Sequence, residues 1–160
     1  MRKLWRLIRR TGRIAQDAPP TPAGGPAAAG ALHGSAQIRH VDAGSCGGCE
    51  IEIGAAFGPV YDAERYGARL VASPRHADVL LVTGVVTRNM RRPLQRTYEA
   101  VPGPKWVVAV GDCARNCGEL AGGHGVAGAV GDVVPVDLEV PGCPPRPQAV
   151  VEAVRKLTGR

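Results

Sequence analysis

The chain's five cysteines have the most chemistry to offer, and their spacing limits what that chemistry is. Cys46 and Cys49 form a C-x-x-C pair in GSCGGCEIE, a glycine-lined bend that follows an apolar stretch. Cys113 follows WVVAVGD, and Cys143 follows VDLEVPG and precedes Pro144. A redox dithiol needs only Cys46 and Cys49 and leaves the others unexplained. Structural zinc takes four thiolates, but the usual ribbon pairs two C-x-x-C knuckles, and here the second half is divided between Cys113 and Cys143. An iron–sulfur cluster also takes four thiolates and accepts scattered ligands. A Cys–Pro step like Cys143–Pro144 occurs in ferredoxin ligand runs. Spacing favours the cluster and leaves the zinc and dithiol readings open.

Other signals are weaker. GHGVAG, from Gly123, fits G-x-G-x-x-G, but no strand directly precedes it and no helix clearly opens there, so it reads as a loop packed near the cysteines rather than a nucleotide site. His33, His40, His76 and His124 lack metal-ligand spacing, and Asp62 and Glu64 make no persuasive acid–base pair. Arg88, Arg91 and Arg92 read as a solvated helix face or a partner contact.

The elements that must position the cysteines follow a strand–helix rhythm. AQIRHVDA, ARLVAS, ADVLLVTG and KWVVAVGDC are strand candidates. ADVLLVTG is the near-continuous apolar run expected of a parallel strand covered on both faces. CEIEIGAAFGPVYDAERYG suits a helix interrupted at Gly58-Pro59. TRNMRRPLQRTYEAV suits one beginning near Thr87, with Pro93 as a kink or late start. DVVPVDLEV is a short extended piece, and PRPQAVVEAVRKL a closing helix with Pro147 near its first turn. The alternation predicts a single α/β domain, doubly wound, with a mostly parallel sheet. In such a sheet the loops after the strands share the carboxyl edge, where ligands bind, so cysteines far apart in sequence are expected to converge there.

Length and charge set the outer bounds. At 160 residues and 44% hydrophobic, the chain holds one domain with a real core. Aromatics at 4% give no stacking platform for single-stranded nucleic acid, and no nucleic-acid partner is expected. The net charge of +6 is concentrated in MRKLWRLIRRTGR. Residues 1–15 read as a basic amphipathic arm that either is solvated, docks on a neighbour or touches an anionic membrane surface through residues 1–13. Residues 16–34 read as a Pro/Gly/Ala linker and 35–160 as the folded domain. No apolar region follows Arg9-Arg10 to make a twin-arginine signal, and no stretch of roughly 18 apolar residues predicts a membrane span. The expected place is therefore the cytosol or the cytosolic face of a membrane.

From Val41 to Leu157 the chain resembles the small iron–sulfur subunit shared by complex I, where it is the NADH-quinone oxidoreductase B-type subunit, and the membrane-bound, energy-converting nickel–iron hydrogenases, including formate hydrogenlyase. The segments that carry the likeness are CGGCEIEI, YDAERYGARLVASPRHADVLLVTGVVTRNM, VGDCARNCG and VPVDLEVPGCPPRP. The resemblance implies a flavodoxin-like fold and one 4Fe–4S cluster at Cys46, Cys49, Cys113 and Cys143, with an electron-transfer role. The implied partners are a large hydrogenase-like (49 kDa-like) subunit, a ferredoxin-like iron–sulfur subunit and membrane subunits, and the implied place is peripheral, on the cytoplasmic face of the inner (plasma) membrane. The family's complex I branch usually has adjacent cysteines at the first motif. C-x-x-C here favours the hydrogenase branch. Cys117 stands where the family commonly has glycine. It reads as an inert small residue, with an alternative ligand as the other possibility. The second class of function is a four-cysteine, zinc-stabilised interaction module without redox activity.

Overall fold

Strands form here where apolar runs find cover on both faces. The computed structural model describes Trp5, Arg9 and residues 32–160. Its strands are β1 (Ala36–Asp42), β2 (Ala68–Leu70), β3 (Val79–Thr83), β4 (Val86–Thr87), β5 (Trp106–Val110), β6 (Val126–Gly128) and β7 (Leu138–Val140). Its helices are α1 (Gly48–Ala56), α2 (Arg88–Ala100), α3 (Asp112–Asn116) and α4 (Pro147–Thr158). Five strands pair in parallel in the order β2-β1-β3-β5-β7. Counted along this sheet alone, the order is 2-1-3-4-5, the flavodoxin-like doubly wound arrangement expected from the sequence.

Alternation along the strands builds two cores. Ile38, Val79, Leu81, Val108, Val110 and Val140 face α1 and α4, where they meet Ile53, Val150, Val154 and Leu157. Val41, Leu80, Val82, Val107 and Ala109 face the other way, under Leu94 of α2 and Ala114 of α3. All five residues of β3 are buried, which explains its unbroken apolar sequence.

Local chemistry sets the helix ends. The Thr87 hydroxyl accepts from the Met90 N–H at 3.3 Å and caps α2. Pro93 lies inside α2 rather than delaying its start, so the Asn89 carbonyl has no N–H at the usual position four residues on. α1 stops at Ala56, ahead of the expected interruption at Gly58-Pro59, and beyond it the expected helix is reduced to a 3-10 turn at Ala63–Tyr66. α4 opens on Pro147 and closes at Gly159, which is left-handed (φ 75°) and donates to the Arg155 carbonyl at 2.8 Å.

Three features depart from the sequence reading. DVVPVDLEV is strand only at Leu138–Val140. Val130–Asp132 is a 3-10 turn, and Pro135 brings no N–H to a ladder. α3 is a five-residue helix that its apolar pattern did not announce. The segment holding GHGVAG supplies β6, which pairs antiparallel with β4. The connection from β2 to β3 contains only the 3-10 turn Pro74–His76, where a doubly wound fold ordinarily places a helix. The expected arm lies outside the described residues except for Trp5 and Arg9, which are helical and exposed, with the Arg9 guanidinium 5.6 Å from the Trp5 ring centroid.

Gly84 closes β3 at φ 75°, where an added Cβ would stand 2.3 Å from the Ser45 backbone nitrogen. Gly84→Ala is expected to destabilise the domain by roughly 1–3 kcal/mol. Gly54→Ala, inside α1 with open space around it, is expected to stabilise by about 0.5–1 kcal/mol. Urea unfolding midpoints check both, and an unchanged midpoint for Gly84→Ala would contradict this account of the turn.

Candidate metal centre

Parallel pairing sends β1, β5 and β7 out of the sheet at one edge, and the loops that follow carry the cysteines. Cys46 and Cys49 lie between β1 and the first turn of α1, Cys113 is the second residue of α3, and Cys143 lies between β7 and α4. The four thiols are close enough to act on one another. Cys49 is influenced by Cys113, Cys46 and Cys143, and Cys113 by Cys143 and Cys46. Cys49 is buried, Cys113 half-buried, and Cys46 and Cys143 are exposed. The group thus sits at the surface with one deep member. Cys117 lies apart from it. Cys117 ends α3 in a left-handed conformation (φ 67°), and its thiol is influenced by burial and Asp132 but by none of the other cysteines.

Hydrogen bonds fix each loop. The Asp42 carboxylate accepts from the Gly44 and Ser45 N–H groups, both at 2.8 Å, and the Ser45 hydroxyl accepts from the Gly47 N–H at 3.1 Å. These turns aim Cys46 and start α1 so that Cys49 falls in its first turn. Between the other two loops the bonds are reciprocal. The Asp112 N–H donates to the Gly142 carbonyl at 2.9 Å, and the Gly142 N–H donates to the Asp112 carboxylate at 3.0 Å. Arg115 then spans both elements, donating to Glu139 at 2.8 Å and Asp112 at 3.2 Å. Cys113 and Cys143 are each the next residue after one end of this clamp.

Glycine leaves room at the sulfurs. A Cβ on Gly111 (φ 89°) would stand 2.7 Å from Cys49 Sγ, and one on Gly118 would lie 3.4 Å from Cys113 Sγ. Among the glycines beside the cysteines in sequence, a Cβ on Gly48 would lie 3.6 Å from Cys46 Sγ, and one on Gly47 would meet nothing within 4 Å. Gly44 instead makes way for Thr87, and Gly142 for Pro145.

Electrostatics opposes bare thiolates here. Cys49 and Cys113 both occupy helix first turns, a position that by itself favours the thiolate. Burial wins. It pushes Cys49 up to about 11, helped by Glu50 and the other three thiols, and it raises Cys113, helped by Cys143 and Cys46. A positive centre beside Cys49 and Cys113 would reverse that balance and favour their thiolates. Among the described residues, no group of three or more His, Cys, Asp or Glu is placed to hold a metal ion.

A polar chain that sequence reasoning missed lies behind Cys49. The Thr83 hydroxyl donates to the Glu50 carboxylate, which leaves the Thr83 oxygen to accept from His40 Nε2 at 2.9 Å. His40 stands 3.6 Å from Glu50, yet burial lowers its pKa despite that neighbour. The other Glu50 oxygen is buried without a hydrogen-bond partner among the described residues. The available signal was Glu50 directly after Cys49. Asp112, directly before Cys113, was the corresponding signal for the clamp. His33, His76 and His124 are exposed.

Residues 46–157 match the family described as NADH ubiquinone oxidoreductase, 20 Kd subunit. The chain is 48% identical over 117 residues to formate hydrogenlyase subunit 7 of Escherichia coli (strain K12), covering 73% of this chain and 46% of that one. It is equally 48% identical over 117 residues to the probable membrane-bound hydrogenase subunit mbhJ of Pyrococcus furiosus, covering 73% and 70%. The chain thus spans about half the length of the bacterial relative. Among solved structures, it superposes on a chain of the membrane-bound sulfane sulfur reductase, an archaeal respiratory membrane complex, with a TM-score of 0.70 and 35% identity, covering 81% of this chain and 71% of that one.

The raised Cys49 thiol has a direct readout. In reduced, metal-free protein at pH 8, Cys49 is expected to be alkylated on the order of 100-fold more slowly than an ordinary thiol, because reactivity follows the thiolate fraction. Its rate should keep rising towards pH 11. Peptide mass spectrometry over a pH series checks this, and a Cys49 rate that levels off by pH 9 would contradict the burial argument.

Proposed function

The chain belongs to the family of the NADH ubiquinone oxidoreductase 20 Kd subunit, and from that premise we propose that it is an electron-transfer subunit with one 4Fe–4S cluster held by Cys46, Cys49, Cys113 and Cys143. The observation that carries this reading is the meeting of four mutually interacting thiols from three loops, with Gly111 standing where a side chain would strike Cys49 Sγ. When bound, such a cluster supplies one-electron relay chemistry. The donor set fits it. Cys46, Cys49, Cys113 and Cys143 would each supply one thiolate to such a cluster, whose ligands, unlike those of a single zinc ion, need not all converge on one metal. The family match, to a subunit of an oxidoreductase, does not favour the zinc-stabilised interaction module.

The residues of this chain do three things in that role. The clamp between Asp112 and Gly142 fixes the separation of the Cys113 and Cys143 loops. Gly48, Gly111 and Gly118 keep side chains away from the sulfurs. The exposure of Cys46 and Cys143 opens the site to a neighbour, and Ile51 (72% exposed) on the following helix offers that neighbour an apolar contact. The partner receiving or giving electrons would be a large, hydrogenase-like subunit, beside a ferredoxin-like iron–sulfur subunit and membrane subunits. The relatives are named as subunits of formate hydrogenlyase and of a membrane-bound hydrogenase. No helix among the described residues is long and apolar enough to cross a membrane, in keeping with a peripheral place, which we assign to the cytoplasmic face.

Replacing Cys46, Cys49, Cys113 or Cys143 singly by Ser should lower iron and sulfide content and destabilise the protein, since a group bound only by the folded state stabilises it. Cys117→Ser should do neither. Anaerobic purification with iron analysis and electron paramagnetic resonance is the check. A colourless protein with stoichiometric zinc would sink the reading, and iron lost in Cys117→Ser but kept in Cys113→Ser would overturn the ligand assignment. A second expectation concerns the arm, whose Lys and Arg residues are each worth about 1 kcal/mol near an anionic leaflet before screening. Deleting residues 1–13 should leave iron content intact and weaken binding to anionic vesicles, most at low salt. Equal binding across a salt series would rule out a lipid role for the arm.

A further inference from the structure

The sides of α2 differ sharply in chemistry. Leu94 is buried, with Met90 and Tyr98 packed against the same core. Met90 and Thr97 also line an open cavity of about 590 Å³ beside β1, together with Val41 and Val71. β1 pairs with β2 only as far as Ile38, and the β2–β3 connection makes no helix to fill that space. Arg88, Arg92 and Arg96 lie on the other side. At about 3.6 residues per turn they face away from Leu94 and form one row, with roughly 6 Å between neighbours along the axis. All three are exposed, as is Arg91 at the flank of the row.

This row works against the helix that carries it. Arg88 and Arg92, and Arg92 and Arg96, are like charges four residues apart, and they repel. Arg88, Arg91 and Arg92 also crowd the start of α2, where the helix dipole disfavours cations, and no acidic residue occupies the first turn. None of the four arginine side chains has a hydrogen bond or ion pair among the described residues. Glu99 shares the solvent side but forms no ion pair with them. At its first residue the row meets a second open cavity, of about 620 Å³, whose lining includes Arg88, Asn116, Cys117 and His124 and, among the described residues, no acid. Asn116 and Cys117 close the helix that carries Cys113, so the row begins beside the cysteine edge.

We infer that the solvent face of α2 is a docking site for an acidic segment of another polypeptide, whose carboxylates meet Arg88, Arg92 and Arg96. Guanidinium groups pair with carboxylates through two parallel hydrogen bonds, and a helix with Asp or Glu every four residues would repeat at the same spacing of roughly 6 Å. A lipid surface fits less well. No large apolar side chain is exposed on α2 to enter an interface, and Glu99 would face anionic headgroups. A polypeptide can set a basic or neutral residue opposite Glu99. Charge also disfavours the occupants nearest to hand: residues 1–13 carry six basic side chains, and a second copy brings a net +6. The assignment does not depend on the cluster.

The test is photo-crosslinking in the full-length chain in its native cells. p-Benzoylphenylalanine replaces Asn89 in one variant and Glu99 in a second, both exposed on α2, and the crosslinked peptides are identified by mass spectrometry. The expected product joins either position to one segment of another polypeptide in which Asp and Glu outnumber Lys and Arg. Its yield should fall several-fold when Arg92→Gln and Arg96→Gln are added, further with Arg92→Glu and Arg96→Glu, and as salt rises. Urea midpoints of these variants are expected to hold or rise, because repulsion along α2 is relieved, so that a lower yield reports docking rather than folding. Crosslinks to lipid, to residues 1–13, to a second copy or to a segment without acidic excess would overturn the inference. So would no crosslink at all, or a yield indifferent to both pairs of substitutions. Iron content measured on the same material keeps the two readings apart: a zinc-loaded or iron-free protein with the acidic crosslink intact would sink the cluster and leave the docking assignment standing.

Discussion

Parallel pairing of β1, β3, β5 and β7 makes every one of these strands leave the sheet in the same direction, and the candidate site exists because of that constraint. Cys46 and Cys143 are almost a hundred residues apart in the chain, yet each lies a few residues past the end of a parallel strand. An antiparallel neighbour anywhere between β1 and β7 would deliver its loop to the opposite edge. The register also explains the depth of the core, since a strand flanked on both sides and covered on both faces, as β3 is, must be apolar at nearly every position.

Parallel pairing brings loops to one edge but does not space them. Spacing comes from short-range polar bonds: the Asp42 turn for the first loop, and the exchange between Asp112 and Gly142 for the other two. The charged Asp112 side chain accepts from both Gly142 and Arg115, a stronger arrangement than a neutral pair would give. Removing that carboxylate would free both loops at once. Gly84 then lets the end of β3 approach the backbone of the first loop, and Gly111 and Gly118 decide how closely backbone approaches the Cys49 and Cys113 sulfurs.

The site so built is poorly suited to its own ionisation. Burial raises the pKa of Cys49 and of Cys113, neighbouring thiols add to it, and Glu50 adds further at Cys49. A positive centre inverts this balance, since the charges that repel one another then share a counter-charge.

How much of this was legible in the sequence depends on the range of the interaction involved. The strands at VLLVT and WVVAV, the interruption before Gly58-Pro59, the cap at Thr87 and the opening of α4 at Pro147 follow from periodicity and local backbone chemistry. So does the parallel sheet, and with it the expectation that the cysteines following β1, β5 and β7 share an edge. Local pattern failed where a partner distant in sequence decides the outcome. GHGVAG has no strand-like alternation, and β6 forms because β4 lies alongside. Asp112 and Glu50 look like ordinary helix-start acids until Gly142 and Thr83 arrive from elsewhere. The groove beside β1 is an absence, a helix not made between Val71 and Asp78, and it becomes a surface only once the sheet is assembled. The sequence alone therefore determined the longer strands and helices and the identity of the reactive side chains, because those follow from neighbours within a few residues. The tertiary structure alone decided how the loops are clamped, which glycines border the sulfurs and which face stays open, because those depend on contacts between segments that the chain keeps far apart.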